Sequence, residues 1–349
     1  MGRRVLITGV GSFWGGRVAQ ALESDPGVDV IIGLGVDAPA VPLQRTEYVP
    51  ADQSYSILSR IVQATRVDTI LHTFLVVDST RARSSELHEQ NVIGTMNLLA
   101  AAGAPGSSVR HVVVKSSTLV YGSSPNGPTW YREETPRATP ARTRIERSLL
   151  EAESYVKDFA VDNPNVVVTL LRFANVVGSD IVTPITKALN LPLVPCVFGF
   201  DPLMQFVEED DVVRSIEFVT REGIGGTFNV AGDGRLPWSE VAALSNKRLA
   251  PMPPVATSLA TAPLALIGVE LPPELLALLR YGRGVDTSRL KSRGFTYRYT
   301  SAGAVENFAR TMRLEKSLGP RPAYHYEHDV EQFFRHSPSV VRESEVRIP

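Results

Sequence analysis

The chain has 349 residues, with 36 lysines and arginines against 37 aspartates and glutamates, so its formal charge is −1. Nucleic-acid-binding proteins carry a basic excess that displaces counterions, so nucleic acid is excluded as the main partner. The single cysteine, Cys196, excludes an internal disulfide framework and a CxxC metal site. No apolar run reaches the roughly 18 residues that span a bilayer, and no signal-peptide pattern follows MGRR. The sequence therefore predicts a folded cytoplasmic protein with no membrane partner.

Short apolar runs alternate with segments of helical periodicity up to about residue 220. Trp14, Val18 and Leu22 have the spacing of a buried helix face, and Ile145 and Leu149 begin another such face. Buried strands are predicted at 4–8, 28–34, 69–76, 110–114 and 165–172. Apolar strands separated by amphipathic helices predict an α/β fold, a doubly wound parallel sheet that is Rossmann-like.

A glycine-rich turn, GVGSFWGG at 9–16, joins the first predicted strand to the first predicted helix. One glycine takes the positive φ of a tight exit, a second lets backbone amides approach a pyrophosphate, and a third lets helix and strand pack closely. The unpaired amides and the dipole at the helix N-terminus favour an anion. Strand, turn and helix together predict a dinucleotide phosphate site.

The alternation weakens after Gly178, where prolines at 184, 192, 195 and 202 interrupt the chain. A strand at 205–207 and a helix over 210–220 then resume the α/β pattern. We therefore expect a dinucleotide-binding domain over residues 1–178, to which 204–230 returns. Residues 179–203 and 231–312 are expected to form a smaller, mostly helical substrate lobe, and 313–349 a C-terminal tail.

Seven segments resemble, in order, the motifs of one enzyme family: TGVGSFWGG at 8–16, YVPAD at 48–52, LHT at 71–73, NVIGTMNLL at 91–99, SSTLVYG at 116–122, LRFANVVG at 171–178 and QFVEEDD at 205–211. They resemble the extended short-chain dehydrogenases/reductases, in the NAD-dependent epimerase/dehydratase family that includes UDP-glucose 4-epimerases. The resemblance covers roughly residues 3–312. It implies hydride transfer between a nicotinamide dinucleotide and a sugar nucleotide or similar polyol.

The resemblance also implies site residues. Contacts to the cofactor are implied for Gly9, Gly11, Ser12, Phe13, Trp14, Gly15, Asp37, Asp52, Gln53, His72, Thr73, Phe74, Asn91, Lys115 and Ser116. Ser117 takes the position that holds the reacting substrate oxygen, and Asn175, with Arg283 as a further candidate, walls the substrate pocket. Family members pair through helices at about 81–102 and 141–160, so a homodimer is expected. No metal site is predicted.

Two departures from the family pattern concern the cofactor. Ser12 replaces the middle glycine of the turn, and its hydroxyl can donate to a phosphate oxygen. Gly35 replaces the acidic residue that takes the ribose hydroxyls, and Asp37 lies two residues on. No arginine stands there to pair with a 2′-phosphate. The sequence therefore favours NAD, with NADP as the alternative.

The third departure is the loss of the family's YxxxK pair, in which the tyrosine is the general acid/base and the lysine lowers its pKa. No tyrosine in the chain has a lysine four residues later. Aligning on Glu153 places Ile145 and Leu149 at the two positions, and aligning on Glu151 places Thr143 and Arg147 there. In the first register the two positions, Ile145 and Leu149, belong to the apolar face of a predicted helix. Such a face favours packing over catalysis.

Tyr131, in the loop TWYREE, is the candidate replacement for the tyrosine, and Glu133 and Glu134 are candidate bases, although exposed loop residues are the plainer interpretation. Two functions remain open: an epimerase or dehydrogenase with an altered acid/base, and a non-catalytic dinucleotide-binding sensor or scaffold. A third, weaker alternative is a chain that keeps the fold and has lost the cofactor. Gly9, Gly15, Asp52 and Asn91 argue against it.

Overall fold

The structure is a computed structural model that describes residues 2–80, 84–128, 130–254 and 269–318, apart from the side chains at 84, 85 and 315–318. The described residues up to Ala309 form one compact unit, and those from Arg310 to Leu318 belong to a second. The strands are β1 (Arg3–Thr8), β2 (Val28–Gly35), β3 (Thr46–Pro50), β4 (Thr69–His72), β5 (His111–Ser117), β6 (Val167–Phe173), β7 (Asn175–Val177), β8 (Leu193–Val197), β9 (Leu203–Met204), β10 (Phe206–Glu208), β11 (Gly226–Val230), β12 (Leu236–Pro237) and β13 (Arg248–Met252).

The α-helices within the described ranges connect these strands. They are α1 (Phe13–Glu23), α2 (Tyr55–Thr65), α3 (Ser84–His88), α4 (Gly94–Ala102), α5 (Arg144–Asp162), α6 (Pro184–Asn190), α7 (Glu209–Glu222), α8 (Trp238–Leu244), α9 (Pro273–Tyr281), α10 (Ser288–Ser292) and α11 (Ser301–Leu318). A π-helical turn (Glu89–Ile93) joins α3 to α4, and a 3₁₀ turn (Thr118–Tyr121) follows β5. No helix in these ranges is both long and apolar enough to cross a membrane.

Seven strands form one sheet in the order β11-β6-β5-β4-β1-β2-β3, and every neighbouring pair is parallel. Thr8 at the end of β1 pairs with Leu34 of β2 on one side and with His72 of β4 on the other. The chain therefore winds outward from β1 in both directions, which confirms the predicted doubly wound fold. The switch point lies between β1 and β4, where such sheets form a crevice at their carboxyl ends.

Helices cover both faces of this sheet. On one face Leu58 of α2, Leu98 of α4 and Leu149 of α5 are fully buried in one apolar cluster. On the other face Val18 of α1 and Val212 of α7 are fully buried in a second cluster. Covering on both faces explains why the strands are apolar throughout instead of alternating.

Some boundaries differ from the predicted ones. The strand predicted over 69–76 ends at His72, because the chain leaves the sheet there and its next residues line a cavity. Helix α11 continues to Leu318, beyond the predicted start of the tail at 313, and 319–349 lie outside the described residues.

The smaller, proline-interrupted region contains short strand pairs. β8 pairs with β13 in parallel and β9 with β12 in antiparallel, and the Trp238 indole of α8 donates to the Pro195 carbonyl at 2.9 Å. β10 returns beside β7.

Candidate functional site

A cavity of about 620 Å³ opens at the carboxyl ends of the sheet strands. Its walls are the turn after β1, the loops after β2 and β4, the end of β5 and the chain after β6, and it is closed by segment 181–185 and helix α9. Because α9 and segment 181–185 come from the region expected to form the substrate lobe, the cavity lies between that region and the sheet. Its position is the switch-point crevice expected for this fold.

The structure brings together most of the residues predicted for the site. Those that line the cavity are Gly9, Gly11, Ser12, Phe13, Trp14, Asp37, Thr73, Phe74, Lys115, Ser116, Ser117 and Asn175. Those that do not line it are Gly15, Asp52, Gln53, His72, Asn91 and Tyr131.

The glycine turn takes the conformation that its sequence predicts. Gly9 has φ +78°, and a Cβ on Gly15 would stand 2.1 Å from the Gly9 carbonyl oxygen. Phe13 and Trp14 are the first two residues of α1, and within the described residues their backbone amides have no hydrogen-bond partner. Both residues line the cavity. The positive end of α1 therefore offers two free amides to an anion in the cavity.

Ser12 acts differently from what the sequence suggests. Its hydroxyl donates to the Gly9 carbonyl at 2.6 Å and accepts from the Gly15 amide at 3.1 Å, so it is the N-cap of α1. Since the single hydroxyl hydrogen is used inside the turn, the expected donation to a phosphate oxygen is absent from this conformation. The side chain secures the turn instead.

The loop after β2 approaches the turn closely. A Cβ on Gly11 would lie 2.2 Å from the Asp37 carbonyl oxygen. The Asp37 residue is exposed and lines the cavity beside Gly11, while Gly35 is buried there. Asp37 therefore lines the cavity, although it lies two residues beyond Gly35, the last residue of β2.

His72 and Asn91 lie behind the cavity wall. His72 is fully buried, with Nδ1 2.7 Å from the Thr8 hydroxyl and Nε2 3.1 Å from the Thr95 hydroxyl. Burial, with the charge of Lys115, lowers the pKa of His72 to about 3, so its ring is neutral. The Asn91 side chain accepts from the Val76 amide at 2.7 Å and donates to the Val76 carbonyl at 2.9 Å. Both side chains hold the cavity wall in place.

Asp52 and Gln53, in the loop after β3, also lie outside the lining. Asp52 is exposed and accepts from the Ser54 amide at 3.0 Å. The Gln53 carboxamide is buried, and neither its nitrogen nor its oxygen has a hydrogen-bond partner among the described residues. Buried polar groups are normally paired, so an orphaned amide suggests a missing partner.

The end of β5 carries three polar side chains. Lys115 is buried and donates to the Leu75 carbonyl at 3.2 Å. Ser116 donates to Glu153 at 2.7 Å. The Ser117 Oγ accepts from the Leu119 amide at 3.1 Å, which leaves its hydrogen for a further acceptor. Of the three, Ser117 has its hydroxyl hydrogen to offer.

The loop candidates for the acid/base are engaged elsewhere. Tyr131 was expected to be exposed, but it is 2% exposed and its ring stacks on Tyr121 with centroids 4.7 Å apart. That expectation is wrong because β-bridge pairing with Val285 draws the loop inward. Glu133 accepts from the Asn229 amide at 2.9 Å, and Glu134 pairs with an arginine.

Neither alignment register places an acid/base pair in the cavity. Ile145 and Leu149 are fully buried in the apolar cluster, which confirms that this face packs. Thr143 is the N-cap of α5, and Arg147 is exposed. None of the four lines the cavity.

Two charged residues of the region after β13 do line it. Arg283 is 8% exposed and donates to the Thr118 hydroxyl at 3.2 Å, and it forms no ion pair within the described ranges. Burial lowers the pKa of Arg283 to about 10, which leaves it cationic at neutral pH. Glu274, in the first turn of α9, accepts from the Ser79 hydroxyl. Sequence reasoning missed Glu274 because an acidic residue after Pro273 is an ordinary helix start.

A parallel sheet wound outward in both directions, with a glycine turn and an open helix N-terminus at its switch point, defines the class of Rossmann-like α/β proteins. Within that class, the chain belongs to the NAD dependent epimerase/dehydratase family, whose sequence model matches residues 5–231. The resemblance predicted from the motifs is thereby confirmed, and NAD as the predicted cofactor agrees with the family's description.

Relatives extend this assignment along the chain. An uncharacterised protein of Mycobacterium tuberculosis is 32% identical over 323 residues, which cover 90% of this chain and 86% of that protein. A UDP-glucose 4-epimerase of Yersinia pestis is 28% identical over 186 residues, covering 50% of this chain and 54% of that enzyme.

Solved structures share the fold. UDP-glucose 4-epimerase of Thermotoga maritima with UDP-glucose matches with a TM-score of 0.68 at 16% identity, over 90% of this chain and 99% of that one. dTDP-glucose 4,6-dehydratase of Bacillus anthracis in complex with NAD matches with 0.66 at 17% identity, over 90% and 98%.

Proposed function

We propose that the protein binds NAD in this cavity and uses it for hydride transfer on a sugar nucleotide or a similar polyol, with NADP as the alternative cofactor. The observation that carries the proposal is the pair of unpartnered amides, those of Phe13 and Trp14, at the positive end of α1 inside a switch-point cavity. A diphosphate satisfies both amides and the helix dipole. The division into a domain for the dinucleotide and a lobe for the substrate is part of the same proposal.

The cavity supplies partners for parts of a dinucleotide. Asp37 lines the cavity and is proposed to accept from ribose hydroxyls. Asp52 and Gln53 lie outside the lining, so they carry no part of this proposal. The Lys115 ammonium adds positive charge where the cofactor crosses the end of β5. A bound nicotinamide supplies an acceptor or donor of hydride.

Three further lining residues suit an anionic, hydroxyl-bearing substrate. The free hydrogen of the Ser117 hydroxyl is available to hold the reacting oxygen. Arg283 offers a cation without a carboxylate partner in the described residues, which fits a phosphate or carboxylate of the substrate. Asn175 also lines the cavity and donates to the Gln205 carbonyl at 2.9 Å, so its amide is oriented.

One observation favours a second candidate function, dinucleotide binding without turnover. Ile145 and Leu149 occupy, in one register, the positions where the family has its acid/base pair, and both are fully buried. Losing a positioned acid or base commonly costs about 10²–10⁴-fold in rate. A sensor or scaffold that binds NAD would tolerate that loss.

A matched pair of variants tests the phosphate site. Phe13 is the first residue of α1, where proline is tolerated but lacks the amide hydrogen. Phe13→Pro removes the side chain and the donor, whereas Phe13→Ala removes the side chain alone. We expect NAD titrated into Phe13→Pro to bind at least about ten-fold more weakly than into Phe13→Ala, since a hydrogen bond to a charged group contributes roughly 1.5–3 kcal/mol. Equal affinities would contradict the proposed phosphate site, and no binding of NAD, NADP or their reduced forms by the unmodified protein would contradict both functions.

Hydride exchange separates the two functions. UDP- and dTDP-linked sugars are incubated with the protein and NAD, and the reduced cofactor is followed by its absorbance. Turnover on any of them supports the enzyme. Tight NAD binding without exchange on the whole panel supports the sensor.

The homodimer is a further part of the proposal. Ile93 in the π-helical turn and Met96 in α4 are 41% and 38% exposed, on the helices through which pairing is expected. Light scattering during size exclusion at micromolar concentration is expected to give twice the chain mass of 38.1 kDa. A monomer mass would contradict the dimer.

A further inference from the structure

We propose that Glu274 is the group that exchanges a proton with the reacting oxygen of the substrate, in place of a tyrosine. The inference rests on the proposed hydride transfer and adds a residue that the sequence motifs do not contain.

Few side chains around the cavity can exchange a proton. In the described part of the chain no tyrosine, histidine or cysteine lines it. The ionisable side chains that do are Asp37, Asp78, Lys115, Glu274 and Arg283. Arg283 keeps its proton at neutral pH. Asp37 lies beside Gly11, at the end where the ribose of the cofactor is expected. The Lys115 ammonium donates to the Leu75 carbonyl at 3.2 Å and is assigned to the cofactor.

The remaining carboxyls differ in how they are held. Asp78 accepts from the Thr80 amide at 2.9 Å and from the Thr80 hydroxyl at 2.7 Å, so it closes its own turn. Glu274 projects from a different element, the first turn of α9, and meets the loop after β4 through the Ser79 hydroxyl. Its carboxyl is thereby fixed at the boundary between α9 and the sheet, where a substrate enclosed by both would lie.

The surroundings of Glu274 favour a proton on the carboxyl. Burial raises its pKa, and the neighbouring Glu146 and Asp78 carboxylates raise it further, while the Ser79 hydrogen bond opposes the shift. Glu146 belongs to α5 and is paired with Arg137 at 2.9 Å. A carboxyl whose pKa is raised keeps its proton to a higher pH than an exposed glutamate, which suits a group that accepts a proton and returns it.

The proposed step balances. As the substrate alcohol is oxidised, its O–H bond breaks and the proton passes to a Glu274 oxygen. The O–H electron pair forms the second bond of the new carbonyl, and the C–H hydrogen leaves with its two electrons to the nicotinamide. In the reverse direction Glu274 returns the proton to the oxygen. Ser117, which keeps a free hydroxyl hydrogen, steadies that oxygen in both directions.

Glu274→Gln keeps the shape of the side chain and removes the titrating proton, and Glu270→Gln is the matched control because Glu270 is exposed four residues earlier. With the unmodified protein and NAD, we expect hydride exchange on the sugar-nucleotide panel to fall at least about 100-fold in Glu274→Gln and to stay within about two-fold in Glu270→Gln. NAD affinity is expected to stay within about two-fold in both. Glu274→Asp, which retains the carboxyl, is expected to recover part of the rate and guards against a variant that fails to fold.

A second readout does not depend on turnover. Infrared difference spectra of the NAD-bound protein across a pH series are expected to show a protonated carboxyl band that titrates above the ordinary glutamate range and is missing from Glu274→Gln. Exchange at the unmodified rate in Glu274→Gln, or the same band in the variant, would overturn the assignment while NAD binding stands. The assignment of Glu274 would also be overturned if the unmodified protein bound NAD but exchanged hydride with none of the sugar nucleotides tested. If the unmodified protein bound no cofactor, the proposed function itself would be wrong.

Discussion

The carboxylate of Glu153 accepts hydrogen bonds from Arg172, one from Nε at 3.0 Å and one from Nη2 at 2.5 Å. Their side chains are 1% and 5% exposed. The same carboxylate accepts from Ser116, and Arg172 also donates from Nη1 to the Tyr121 hydroxyl at 2.7 Å. Helix α5, strand β6 and the end of β5 are thus joined by one buried network directly behind Ser117.

Glu153→Gln is expected to destabilise the fold strongly, because it leaves the Arg172 guanidinium buried without its counter-charge. Removing one partner of a buried pair costs roughly 3–5 kcal/mol. The free energy of unfolding in urea measures the loss. Glu222→Gln is the control, since Glu222 pairs with Arg221 in solvent and its loss should cost under about 1 kcal/mol. Similar losses in the two variants would contradict a stabilising role for the buried network.

The parallel, doubly wound sheet and its two helix layers follow from the sequence, because burial on two faces leaves long apolar runs that are easy to recognise. Strand β3 gave no such signal: Thr46–Pro50 lies at the sheet edge, and its residues are half-buried or exposed. The sequence also could not show that β4 ends at His72. Leu75 is apolar because it lines a cavity, and an apolar residue there looks like a continuation of the strand.

Gly15→Ala is expected to disrupt the turn, since the added Cβ would stand 2.1 Å from the Gly9 carbonyl oxygen. Overpacking of this kind costs roughly 1–3 kcal/mol or more, and the displaced turn should lose NAD binding. Gly106→Ala is the control: Gly106 has φ +80°, but a Cβ there meets nothing within 4 Å. It should cost about 1–2 kcal/mol of backbone strain and leave NAD affinity unchanged. Calorimetric titration with NAD tells the two apart, and unaltered binding by Gly15→Ala would refute the close-packing argument.

His72 predicts how stability depends on pH. Its folded-state pKa of about 3 lies below the ordinary 6.5 because the ring is buried. The unfolded chain therefore takes up the proton first, so this contribution is complete above pH 6.5 and is lost as the pH falls towards 3. Between pH 8 and pH 5 the loss from this residue is about 2 kcal/mol.

His72→Gln removes the titration and is the comparison. The free energy of unfolding in urea is measured at pH 8 and pH 5 for both proteins. Its decrease from pH 8 to pH 5 should be larger in the unmodified protein than in the variant by about 2 kcal/mol. Parallel pH dependence in the two proteins would mean that His72 is protonated as easily in the folded state as in the unfolded one.

The motifs predicted the part of the candidate site that is built by the segments directly after the sheet strands. Gly9, Phe13 and Ser117 lie where the motifs predict. Asn91 does not line the cavity, because a motif records that a residue is needed without recording what it touches, and here the Asn91 side chain binds the Val76 backbone. Glu274 is about 200 residues from Ser79, the residue it contacts in the loop after β4, and no local sequence pattern predicts that contact.

Leu149→Lys tests whether the face of α5 at Ile145 and Leu149 is core or a degraded site that still opens to the cavity. Leu149 is fully buried within the apolar cluster, so an ammonium there is desolvated without a partner. We expect a loss of at least about 3 kcal/mol in the free energy of unfolding and no gain of hydride exchange. Arg147→Lys places a lysine two residues earlier on the exposed surface of the same helix and should change stability by under about 0.5 kcal/mol. A Leu149→Lys protein that is as stable as Arg147→Lys and turns over faster than the unmodified protein would show that this face reaches the cavity, and the packing account of α5 would then be wrong.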